Sequence, residues 1–113
     1  MIKCNEIDNS LIREVIKVRR YLHQYPEISE KEYNTSKLIG KYLDDIGIEN
    51  KIIGETGVVA TLINDLNYQT IALRAEIDAL PIDEKNTFEY KSKNKGVMHA
   101  CGHDGIVATV LKN

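Results

Sequence analysis

The sequence predicts an α/β fold laid out as helix, helix, β-rich runs and a further helix. Two stretches with apolar residues at helical spacing fill the first half, short runs rich in Val, Ile and Thr follow them, and a last apolar stretch again carries helical spacing.

Helix one is expected from about Ser10 to Gln24. Leu11, Ile12, Val15, Ile16, Arg19 and Leu22 share one face, the polar run Asp8-Asn9-Ser10 offers an N-cap, and Pro26 stops the helix. A second start signal lies at Ser29 with Glu32 three residues on, the spacing of a capping box. It leads into the stripe Thr35, Leu38, Ile39, Tyr42, Leu43 and Ile46, and Gly47 is placed to cap the end. The text then turns β-rich: Lys51 to Ile53, Gly57 to Ile63, and Thr70 to Ala75. Asn64-Asp65-Leu66-Asn67 reads as a turn joining the last two runs into an antiparallel hairpin. Between Asp78 and Gly96 the sequence reads as a long, partly ordered loop with one apolar island at Phe88. After His103, Ile106, Val107, Val110 and Leu111 open a third helix, whose dipole Asp104 would suit. A helix cut off about two turns in, at ~3.6 residues per turn, suggests a piece of a larger protein.

With 113 residues, 42% hydrophobic, 28% charged and a formal net charge of -2, one soluble globular domain or part of one is expected. The charge balance shows no basic stripe and the chain has no Trp, which argues against nucleic acid as a partner. No apolar run is long enough to span a membrane, the first residues do not read as an export signal, and two distant cysteines make no disulfide framework. A reducing cytoplasm is the expected compartment.

Two constellations carry chemistry. In Met98-His99-Ala100-Cys101-Gly102-His103-Asp104 a thiol and an imidazole stand two residues apart, and these are the donors that borderline-soft divalent ions prefer. Two ligands do not close a site, and the spacing alone fits an ordinary buried thiol beside a loop histidine better than it fits a metal site. His23 and His99 are the other histidines and Cys4 the other thiol. His23 reads as a helix-end structural residue, His99 as a neighbour that supports either the donors or the loop, and Cys4 as an ordinary terminal thiol. The second constellation is Arg74-Ala75-Glu76-Ile77-Asp78-Ala79-Leu80-Pro81. Alternation along an extended segment turns Glu76 and Asp78 to one side, where they can act on a metal, an imidazole or a proton, or simply meet solvent.

Four stretches in order, Leu22 to Ser29 with Glu32, Thr56 to Ala60, Arg74 to Pro81, and Gly96 to Gly105, resemble the signatures of the metal-dependent amidohydrolases. That family contains hippurate hydrolases, bacterial N-acyl amino acid aminoacylases and auxin-conjugate hydrolases, within the zinc aminopeptidase-like superfamily. The resemblance spans Ile12 to Leu111 and implies the N-terminal portion of a three-layer α/β/α catalytic domain, with the lid and dimerisation domain absent. It implies that Cys101 and His103 are metal ligands and that Asp78 is the carboxylate supporting the metal centre. Glu76 stands where the family more often has aspartate, and Ile106 where it often has histidine. The implied cofactor is a divalent ion, zinc first, with manganese, cobalt and nickel as alternatives. The implied substrate is a small N-acyl amino acid, cleaved at its amide to a carboxylate and an amino acid. The family's general-base glutamate and its further ligands match nothing in these residues, so the chain alone is expected to be inactive, marginally folded and prone to self-association. The rival reading is a non-catalytic small protein with a weak Cys/His metal or redox site.

Overall fold

The computed structural model describes residues 7–112; Cys4 lies outside them. Helix α1 spans Asn9–Gln24, α2 Tyr33–Asp45 and α3 His103–Leu111, with strands β1 at Glu49–Ile53 and β2 at Gly57–Thr61. The α/β reading therefore holds, and both the hairpin and the start of α2 differ from the sequence expectation.

Asp8 is the N-cap of α1, its side chain accepting from the Ser10 N–H at 3.0 Å. Only part of the expected apolar face is covered. Leu22 is buried and Val18 packs beside it, whereas Leu11, Ile12 and Ile16 stay exposed.

The capping box at Ser29 does not form. Glu30 has a φ of 67° and the Lys31 N–H donates to the Ile28 carbonyl, so the chain turns before it can enter a helix. The helix begins at Tyr33 instead, and Glu27 supplies the cap from outside: its carboxylate accepts from the N–H groups of Asn34 at 3.2 Å and Thr35 at 2.6 Å. At the far end Gly47, at a φ of 76°, donates to the Asp44 carbonyl while Ile48 donates to Leu43, the paired bonds of a Schellman end.

The antiparallel hairpin joins β1 to β2, with Glu49 opposite Thr61 and Ile53 opposite Gly57. The expected pairing of 57–63 with 70–75 is absent. The turn itself is present, since Asn67 donates to the Asp65 side chain and Tyr68 to the Asp65 carbonyl. Beyond it, however, Ile71 and Leu73 are 86% and 62% exposed and pack on no helix. Strand formation is rewarded chiefly by side-chain packing on a pleated surface, and in this run only Ala75, at its end, packs against the core.

The long 78–96 segment is irregular but tied down. Ala79 bridges Ile28 in parallel fashion, Leu80 exchanges two backbone hydrogen bonds with Met98, and the Lys93 N–H donates to the Gln24 carbonyl. The apolar island is a stack of Phe88 on Tyr90, with ring centroids 4.1 Å apart and the Arg20 guanidinium 4.6 Å from the Tyr90 ring.

The core gathers Leu22 of α1, Ile39 and Leu43 of α2, and Val107 of α3, with Ile48, Val58 and Ile77 against it. Helix α1 packs on α3, and α2 covers the hairpin. Among the described residues, no helix is long and apolar enough to cross a membrane.

Candidate metal centre

The site lies where the N-terminus of α3 meets the extended 76–78 segment. Gly102, at a φ of 87°, turns the chain into α3, and its carbonyl accepts from the N–H groups of Gly105 and Ile106. His103 is thereby the first residue of the helix, and its ring lies between two carboxylates. Its Nδ1 is 3.0 Å from Asp78 Oδ1 and 3.0 Å from the Asp78 carbonyl oxygen; its Nε2 is 2.9 Å from Glu76 Oε2. The alternation that turns residues 76 and 78 to one side thus brings both onto a single imidazole. Glu76 also takes Arg74 Nη2 at 3.0 Å, in an ion pair whose arginine is 81% exposed.

Cys101 is an exposed free thiol two residues before His103. His99 points the other way, into the interior. It is 5% exposed, and neither of its ring nitrogens has a hydrogen-bond partner. Burial pushes its pKa down, against the pull of Asp104, with His23 and His103 adding to the depression and Asp78 opposing it.

His23 belongs to a buried ionic network rather than to a simple helix end. Its Nδ1 is 2.9 Å from Asp104 Oδ2, its Nε2 is 3.0 Å from Glu84 Oε2, and Asp104 Oδ2 also accepts from Arg19 Nε at 2.9 Å. Burial works against ionisation of Glu84, but the Ser92 N–H, the His23 ring and the Asn86 amide outweigh it and hold the carboxyl below its usual range. Sequence reasoning missed Glu84 as a partner of His23 and Arg19 as a partner of Asp104. His23 and Asp104 are 81 positions apart, and no spacing rule connects them.

Among the described residues no group of three or more His, Cys, Asp or Glu side chains is gathered closely enough to hold a metal ion. The donor chemistry still fits one side of such a centre. A carboxylate on one imidazole nitrogen is the arrangement that metal-binding histidines adopt, and a thiol stands two residues before this histidine.

The family model for peptidase family M20/M25/M40 matches residues 72–112, which include Glu76, Asp78, Cys101 and His103. The chain is 50% identical over 99 residues to thermostable carboxypeptidase 1 of Saccharolobus solfataricus, covering 86% of this chain and 25% of that one. It is 47% identical over 104 residues to N-acetyl-L-cysteine deacetylase of Bacillus subtilis, covering 91% and 25%. The crystal structure of a B. subtilis dinuclear metal-binding peptidase from the M20 family superposes with a TM-score of 0.86 at 40% identity, over 92% of this chain and 30% of that one. The chain spans about a quarter of the length of the curated relatives it matches. In sequence and in fold, the chain is thus similar to a part of the proteins of peptidase family M20/M25/M40.

Proposed function

We propose that these residues serve a metal-dependent amidohydrolase that cleaves N-acyl amino acids to a carboxylate and an amino acid. The observation that carries the reading is the contact at 3.0 Å between Asp78 and His103 Nδ1, which leaves Nε2 as the nitrogen able to take a metal. Cys101 and His103 are the protein ligands this chain contributes, and Asp78 acts through His103 by orienting it. Glu76 must swing off Nε2 when an ion arrives. A divalent ion held there would acidify a water and stabilise the negative charge that develops on the amide oxygen. Thiolate with imidazole suits zinc first, with manganese, cobalt or nickel as alternatives set by availability.

The relatives support the substrate class. A deacetylase acting on N-acetyl-L-cysteine and a carboxypeptidase both cut an amide whose nitrogen belongs to an amino acid with a free carboxylate. An N-acyl amino acid is the smallest molecule with that feature. Cys101 as a working thiolate suits a reducing compartment such as the cytoplasm. With two donors and no general base assigned among the described residues, the 113-residue chain by itself turns over no substrate on this reading.

The test is a graft. Residues 7–112 replace the corresponding segment of the B. subtilis deacetylase, and the hybrid is assayed on a panel of N-acyl amino acids with zinc, manganese or cobalt. Turnover that disappears with Cys101→Ser or His103→Ala is expected. A folded hybrid that is inactive, or one indifferent to both substitutions, would leave the non-catalytic reading as the better one.

A further inference from the structure

His103 and Asp104 are consecutive residues in the first turn of α3 and reach different partners. His103 reaches the 76–78 segment, where both of its carboxylate partners are partly open to solvent: the side chains of Glu76 and Asp78 are 48% and 27% exposed. Asp104 turns inward, its side chain 2% exposed, onto a His23 ring that is equally buried.

No buried side chain braces the backbone just before α3. Gly102 has open space around the position a Cβ would occupy, and both Cys101 and Gly102 are exposed. Along the stretch 101–104, the buried polar attachment is therefore Asp104. Its carboxylate holds two partners from α1, His23 Nδ1 and Arg19 Nε, each at 2.9 Å. His23 cannot easily turn away, because its far nitrogen is bound to Glu84 and its ring faces Phe88 and Tyr90 at centroid distances of 5.8 and 6.0 Å. A shift of Asp104 by a fraction of a helical turn would carry His103 off Asp78, since the two side chains leave adjacent Cα atoms of one rigid turn.

We propose that Asp104 and His23 are a positioning pair: bonded to each other in the interior, they fix the first turn of α3 so that His103, and with it Cys101, is presented correctly at the candidate metal centre. The inference rests on the reading of Cys101 and His103 as ligands; the placement of His103 against Asp78 can be tested without any metal.

The experiment uses the full 113-residue chain. Ring nitrogen resonances of His103 are recorded on the 15N-labelled, metal-free protein, and cobalt(II) alone is then titrated while the thiolate-to-cobalt absorption band is followed. Asp104→Asn and His23→Gln are compared with Val107→Ala, which loosens the same helix through its apolar contact. Both network variants are expected to move the His103 Nδ1 resonance away from its hydrogen-bonded position and to weaken cobalt binding by ~10-fold or more, the usual scale for outer partners of a ligand. Val107→Ala should lower the melting temperature and change neither reading. Folded network variants that keep both the wild-type resonance and the wild-type affinity would overturn the proposal. If Asp104→Asn does not fold, His23→Gln, which retains the Asp104–Arg19 ion pair, decides. If the wild-type chain, with its two donors, holds no cobalt, the His103 resonance alone decides whether the pair positions the ring.

Discussion

His103 Nε2 stands 2.9 Å from Glu76 Oε2, on the edge of the ring that Asp78 leaves free. The nitrogen best placed to meet a metal is thus covered by a half-exposed carboxylate, itself shared with Arg74. On the proposed metal-site reading the two acidic neighbours of one imidazole have different tasks: Asp78 orients the ring, and Glu76 occupies the position an ion would take.

That division predicts unequal mutants. Asp78→Ala removes the group that holds Nδ1 and should weaken cobalt binding about 10–100-fold. Glu76→Ala uncovers Nε2 without loosening the ring from Asp78 and should cost clearly less. Cobalt titrations on both variants check this, and equal losses would contradict it.

Burial predicts where the fold is sensitive. Leu22 is 2% exposed in the cluster with Ile39, Leu43 and Val107, so Leu22→Ala should destabilise by about 2–5 kcal/mol. On the same helix Ile16 is 42% exposed, and Ile16→Ala should stay within about 0.5 kcal/mol. Urea unfolding of the two variants provides the comparison.

Acid should weaken the protein partly through Glu84. Its carboxyl is held below the ordinary value of 4.5 in the folded state, so the charged form favours folding. The contribution is complete above the unfolded pKa and is lost as pH falls through the lower folded value. Glu84→Gln should therefore flatten the acid limb of melting temperature against pH, below about pH 4.5. Identical acid limbs in variant and wild type would show that Glu84 contributes nothing there.

The uncovered apolar residues predict association. Leu62, Leu66, Ile71 and Leu73 are 77%, 87%, 86% and 62% exposed within a span of twelve residues, and an unpaired extended run of this kind attracts other chains. Sedimentation velocity should show concentration-dependent self-association that Ile71→Lys with Leu73→Lys reduces. A clean monomer at every concentration would refute the expectation.

The sequence by itself determined the features that depend on near neighbours. Helix α1 follows from its 3.6-residue periodicity and the Asp8 cap, the end of α2 from Gly47, and the meeting of Glu76 and Asp78 on one side from strand alternation. The ordered signatures carried the family for a related reason: chemistry at a loop demands fixed residue types at fixed short spacings. Tertiary structure alone decided the rest. The start of α2 moved to Tyr33 because Glu27 reached its free N–H groups from a turn. Residues 70–75 stayed unpaired, since Ile71 and Leu73 found no surface to pack on. The attachment of Asp104 to Arg19 and His23, and of His23 in turn to Glu84, was illegible because a buried charge is tolerated only where distant segments bring its partners together, and those partners come from α1 and the 78–96 segment.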